Sequence, residues 1–199
     1  MNLLIKKIAL AVTTCSTLTI ASSAMATGHT LQVTGSVTTI TCDFLAYDTN
    51  GQELPSVSIP PAGIDQTESD EVFFLLKPSS AGCSAAPKVT QPATITWSSD
   101  RINSIGIMNS TPGSNENIHI ELKPKTDASS AAIAAGGVQA EGVITSGGAT
   151  VKYSSASDGK TPTATPLPFK YGVKIASNDG NKMKAGNISA NLTYMVSYE

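Results

Sequence analysis

The sequence predicts an all-β fold, a sandwich of two sheets. Three observations lead there. The chain is rich in Thr, Ser, Val, Ile, Gly and Pro, and charged residues are sparse. No long stretch past the first 26 residues places apolar side chains at helical spacing. Short β-prone runs are instead separated by Gly, Pro, Asn and Asp clusters, the pattern of strands and turns. A chain of 199 residues suits one such domain.

Residues 1–26 read as a secretory signal. Lys6 and Lys7 form a basic start, Ile8 to Ala21 is apolar with interspersed Thr and Ser, and Ala24-Met25-Ala26 gives the small-x-small pattern of a cleavage site after Ala26. The alternative, a membrane anchor, fits less well, because the apolar stretch is short and diluted by hydroxyls. Removing Lys6 and Lys7 from the 13 basic residues, against 15 acidic ones, shifts the formal charge from −2 to −4. That balance argues against nucleic acid as a partner.

Cys15 leaves with the signal, so two of the three cysteines remain, Cys42 and Cys83. Two cysteines in an exported chain read as one disulfide. Closing a loop of that length stabilises a fold by roughly 4 kcal/mol in the chain-entropy model. The alternatives are free thiols or metal ligands. His29 and His119 are the only histidines and neither lies at ligand spacing, so no metal site or cofactor is expected.

The strands follow in order. Leu31 to Ile40 begins with Leu31, Val33, Gly35 and Val37 on one side and polar residues on the other. Asp48-Thr49-Asn50-Gly51 is a turn. Glu71 to Leu76 is a compact apolar run, Ala93 to Trp97 alternates, and Ile118 to Leu122 alternates until Pro124 ends it. Val151 to Tyr153 and Phe169 to Ile175 are further candidates. Ala128 to Gly148 is rich in Ala, Gly and Ser and leaves a short helix over Ala131 to Ala135 or a loop as alternatives. The last run is the clearest. Ile188, Ala190, Leu192, Tyr194, Val196 and Tyr198 take every second position, which predicts one buried and one polar face.

With these residues placed, the chain resembles the chaperone–usher pilins of Gram-negative bacteria over essentially everything past residue 26. Three features carry the resemblance. Val33-Thr34-Gly35-Ser36-Val37 leads within a few residues to Cys42. Cys83 follows at a separation typical of the single pilin disulfide. Gly186 precedes the alternating run, which closes on Tyr198 next to the last residue, as in the pilin β-zipper. The chain is longer than the commonest short pilins, and Ala128 to Pro168 carries much of the excess.

The resemblance implies an incomplete immunoglobulin-like sandwich that lacks its final strand, over residues 37–199. A groove results, with an exposed apolar floor and an unpaired edge. It implies that a periplasmic chaperone lends a strand to this groove. At an outer-membrane usher, the N-terminal extension of another copy or a related pilin then replaces it, building a head-to-tail fibre by β-augmentation. The donor here would be residues 27–36, with Thr27, His29, Leu31 and Val33 sharing one parity. The acceptor would be Gly186, Ile188, Ala190, Leu192, Tyr194, Val196 and Tyr198. Glu199 would offer its terminal carboxylate to the chaperone. Five apolar side chains buried at about 1.5 to 3 kcal/mol each give on the order of 10 kcal/mol before ordering costs. The implied location is the cell surface, in a fimbria that supports adhesion. The subunit looks closest to a major structural one.

Two other readings compete. Ser157-Asp158-Gly159-Lys160 has the S-x-x-K spacing of an acylating serine, but it lies in a Gly/Pro-rich loop without a K-T-G partner and reads as a turn. His119 reads as a surface strand residue rather than a base, and no catalytic residue is expected. The alternative function is a minor or adhesive subunit that binds a host glycan or protein receptor through surface loops. Trp97, Tyr153 and Tyr171 would then stack on sugar, whereas packing in the core is the favoured reading. Asn109, Asn187 and Asn191 begin N-x-S/T triplets, for which no glycan is expected in a bacterial exported chain.

Overall fold

A computed structural model describes residues 29–37, 44–79, 92–111, 116–127, 129–154 and 168–198, with 29–37 and 198 as backbone alone. Among these residues there is no helix. The strands are β1 (His29–Val37), β2 (Phe44–Tyr47), β3 (Val57–Ile59), β4 (Val72–Pro78), β5 (Ala93–Ser98), β6 (Ile118–Lys125), β7 (Thr150–Tyr153), β8 (Phe169–Ser177) and β9 (Ala190–Tyr198). They form a five-stranded sheet in the order β3-β1-β9-β5-β7 and a four-stranded sheet in the order β2-β4-β8-β6. Every pairing is antiparallel except β1 with β9, which is parallel.

Alternation puts one face of each sheet into a shared core. Ile95 and Trp97 of β5, Val151 and Tyr153 of β7, and Leu192 and Val196 of β9 face Phe74 and Leu76 of β4, Ile120 and Leu122 of β6, and Tyr171 and Val173 of β8, and all are buried. Aromatic rings make the centre of this core. Trp97 meets Tyr171 edge-on at 4.9 Å and Tyr194 at 5.3 Å, while Tyr171 stacks on Phe74 at 5.7 Å. Offset and edge-on pairs of this kind add about 0.5–1.5 kcal/mol each beyond their buried area.

The structure corrects the sequence reading in several places. β2 and β3 are strands where only the turn at Asp48 to Gly51 was expected. They are four and three residues long, too short for alternation to stand out. Pro124 does not end its strand, for β6 runs on to Lys125. It is tolerated because β6 is the edge of its sheet, and a missing N–H there breaks no ladder. Its carbonyl still accepts from the Glu141 N–H at 2.9 Å.

The Ala-, Gly- and Ser-rich segment resolves as loop, not helix, over its described residues 129–148. It covers two strand edges. Ala134 N–H donates to Lys152 and Val138 N–H to Thr150, both at 2.8 Å along β7. Ile144 N–H donates to Leu122 at 2.9 Å along β6. One segment therefore lines one edge of each sheet, β7 and β6, which removes two templates for unwanted pairing.

Candidate functional site

The seat of β1 is where the sequence-predicted donor and acceptor residues meet. β1 is an interior strand. Residues His29 to Leu31 pair antiparallel with Ile59 to Val57 on one side, and Leu31 to Val37 pair in parallel with Ala190 to Val196 on the other. β9 is in turn paired with β5, from Ala93↔Tyr198 to Ser98↔Thr193. Both sides of β9 are thus engaged, and β3 joins the sheet through β1 alone among the described strands.

β9 forms one wall for the reason its sequence predicts. Ile188, Ala190, Leu192, Tyr194 and Val196 are buried, whereas Ser189, Asn191, Thr193 and Met195 are exposed. Val57 and Ile59 of β3 are fully buried and form the other wall. Neither β1, β3 nor β9 contains an Asp, Glu, Lys or Arg. β1 meets β3 and β9 through main-chain pairing, and β3 and β9 turn apolar side chains into the core. Tyr194 is anchored across the sandwich, its hydroxyl donating to the Phe44 carbonyl on β2 at 2.5 Å.

The predicted donor residues His29, Leu31 and Val33 lie in β1, opposite Ile59, Ala190 and Leu192 respectively. Thr27 lies outside the described residues, as do Cys42, Cys83, Ser157 to Lys160 and Glu199. Gly186 is exposed in the loop ahead of β9, with φ 156°. Tyr198 closes β9 opposite Ala93. The sequence reading missed β3 as the second wall. Val57-Ser58-Ile59 between Pro55 and Pro60 is a legible apolar–polar–apolar run, but only three residues long.

The aromatic candidates for sugar stacking are core residues: Trp97, Tyr153 and Tyr171 are each about 1% exposed or less. His119 is a correction. It is buried, not a surface residue, although it points away from the core on β6. Its Nδ1 lies 2.8 Å from Asn178 Oδ1, and the Gly106 backbone covers the ring so closely that a Cβ there would stand 2.6 Å from Cδ2.

Charge gathers on the opposite outer face, that of the four-stranded sheet. His119 at 3.7 Å and Lys123 at 2.7 Å hold the Glu121 carboxyl down to about 2. Lys125 bridges Glu71, at 2.8 Å, and Glu141. Its stem crosses Gly172 on the way, where a Cβ would stand 2.5 Å from Lys125 Cε and 2.4 Å from Glu71 Oε1. Lys170 pairs with Asp127, and both Lys125 and Lys170 lie over the Phe73 ring.

Compared with known proteins, the chain matches no family model and no curated sequence.

Proposed function

We propose that this protein is a structural subunit of a bacterial surface fimbria, polymerised by exchange of its amino-terminal strand. The observation that carries the reading is the place of β1. The first described strand is seated between β3 and β9, held by main-chain pairing on both sides. On this reading the remaining strands are an immunoglobulin-like sandwich short of one strand, and β1 is the replaceable occupant. Removing it detaches β3, opens the edge of β9, and uncovers a row from Ile188 to Val196. Such a row with unpaired N–H and C=O groups binds any strand of matching parity.

The chain's own strand runs parallel to β9 because few residues connect Val37 to Phe44 of β2 in the other sheet. A strand arriving from another copy is free of that tether. Parallel pairs are slightly weaker per residue than antiparallel ones, so an intermolecular donor can displace the internal one. A contact of one copy's strand with the next copy's seat does not close, and it grows a filament. A periplasmic chaperone would hold the seat before assembly, and an outer-membrane usher would be the place of exchange. The reading needs no catalytic group. Burial of Trp97, Tyr153 and Tyr171 leaves the adhesive alternative without its sugar-stacking residues.

The test is self-assembly. The chain from residue 27 should form head-to-tail multimers that resist SDS and appear as a ladder. Leu31→Asp or Val33→Asp should abolish the ladder by placing a charge in the seat. A ladder that survives both substitutions contradicts the reading.

A further inference from the structure

We infer that residues 55–62 are a hinged strap that closes on β1, and that β3 is held in the sheet only while a strand fills the seat. The inference deepens the reading of the seat given above but does not depend on polymerisation. The motivating observation is how unequal the two walls are. β9 is paired on its far side with β5, from Ala93 to Ser98. β3 has β1 as its single ladder neighbour among the described strands, through His29↔Ile59, Thr30↔Ser58 and Leu31↔Val57. One wall is fixed to the rest of the sheet, and the other is fixed to the occupant.

The path of the chain explains the difference. β2 and β4 flank β3 in sequence and pair with each other in the opposite sheet. The segment between them leaves that sheet, lends Val57–Ile59 to the five-stranded one, and returns. Both of its ends are tied to the four-stranded side. Ahead of the strap, Leu54 N–H donates to the Ala46 carbonyl of β2 at 2.7 Å, and the Asp48 carboxylate accepts from the Asn50 and Gln52 N–H groups at 2.9 and 2.7 Å. Beyond it, Gly63 N–H donates to Gln66 Oε1 at 2.7 Å, Asp65 pairs with Lys182 at 2.7 Å, and Ser69 N–H donates to the Ile175 carbonyl of β8 at 2.9 Å. None of these anchors involves β1, so they hold with the seat full or empty.

Between the anchors the strap is stiff and its ladder is short. Pro55, Pro60 and Pro61 bracket β3. They offer no N–H, which keeps the pairing from growing past Val57 and Ile59. Their fixed φ stiffens both ends, so rotation falls on the residues outside them. Val57 and Ile59 are buried and pin the strap to the core, while Ser58 between them is exposed. That burial is favourable only while the backbone of β3 has a partner. With the seat empty, its N–H and C=O groups lose their ladder, and burying them unpaired opposes closure. With the seat full, the same two side chains draw the strap shut. The seat therefore opens on one flank. Releasing β1 from β3 parts the three positions His29 to Leu31, whereas releasing it from β9 parts the longer register Leu31 to Val37. A strand enters or leaves from the β3 side, and the β5–β9 pairing stays intact throughout.

Amide hydrogen exchange, read by mass spectrometry on the chain from residue 27, tests this. In the parent, residues 57–59 are expected to exchange about tenfold faster or more than Ala93 to Ser98, because the strap opens without the sheet. This holds although Val57 and Ile59 are buried as deeply as Ile95 and Trp97. Thr30→Pro then asks what holds the strap. Thr30 lies opposite Ser58 and outside the register that β1 shares with β9. The substitution should speed exchange of residues 57–59 by about a further tenfold and leave β4, β5 and β9 as protected as in the parent. Exchange of residues 57–59 at the rate of β5 in the parent overturns the inference, because β3 would then open only with the whole sheet. So does unchanged protection of residues 57–59 in Thr30→Pro, because the strap would then be held by its own buried side chains. Circular dichroism checks that Thr30→Pro folds, and the parent comparison decides alone where it does not. The SDS-resistant ladder is read in the same samples. Its absence contradicts strand exchange and leaves the strap standing.

Discussion

The hydroxyl of Tyr194 donates to the backbone carbonyl of Phe44, 150 residues earlier in the chain, at 2.5 Å. The bond crosses from β9 of one sheet to β2 of the other. Phe44 opens β2 opposite Pro78, so the phenol ties the start of β2 to β9. Tyr194→Phe keeps the ring and removes the bond. It should lower unfolding stability by about 1 kcal/mol, read as a lower denaturant midpoint with an unchanged slope.

Tyr171 gives the opposite expectation. Its hydroxyl is fully buried beside the Tyr153 hydroxyl and the Trp97 indole N–H, makes no hydrogen bond of good geometry with them, and has its ionisation pushed well above the usual tyrosine range by burial. Tyr171→Phe removes a buried polar atom whose poorly aligned contacts return little against its desolvation. The variant should be as stable as the parent or more so, by up to about 1 kcal/mol. The same denaturant series decides it, and a clear loss of stability would mean that the hydroxyl is satisfied.

Gly172 lies beneath the Lys125–Glu71 ion pair, and a methyl group there collides with both partners. Gly172→Ala should break that pair rather than the strand, because the colliding atoms are the far ends of flexible side chains. The prediction is one of non-additivity. In the parent, Glu71→Gln should cost stability, and in the Gly172→Ala background it should cost almost none. A coupling of about 0.5 kcal/mol or more in the double-mutant cycle supports this geometry. Full additivity contradicts it.

Glu121 predicts a pH dependence. Its carboxyl has an ordinary value near 4.5 and is held at about 2 by His119 and Lys123, with Lys174 adding to the field. A carboxyl depressed in the folded state contributes stability above its unfolded value and loses it as pH falls towards the folded one. The contribution is therefore full above about pH 4.5 and disappears towards pH 2. Glu121→Gln should flatten the stability profile in that window and change its slope little at higher pH. Thermal midpoints across the range measure it.

Much of the sandwich was legible where alternation persists. β5, β7, β8 and β9 follow period-two runs in the sequence, and the burial of Ile188 to Val196 against the exposure of Asn191 to Met195 was predicted residue by residue. What failed had physical reasons. β2 and β3 are too short to show a period. Pro124 reads as a stop in the local sequence, because edge position is a property of the sheet. His119 alternates with core residues and so reads as outward, but the Gly106 loop and Asn178 bury it from above. The strands around β1 were legible, but not their partnership. Leu31 to Val37 and Ile188 to Tyr198 alternate in the sequence, whereas the parallel pairing of β1 with the chain's own β9 is a long-range contact that no local pattern encodes.

Capture of a strand by the truncated chain tests the central claim most directly. The chain lacking residues 27–36 is refolded with and without a synthetic peptide of residues 27–37, and complex formation is followed by mass spectrometry and size-exclusion chromatography. An exchangeable β1 predicts that the truncated chain aggregates alone, is rescued by the peptide as a one-to-one complex, and is not rescued by a peptide carrying Leu31→Asp. A truncated chain that stays a soluble, cooperatively folded monomer and ignores the peptide would show that the seat needs no occupant, and strand exchange would fall.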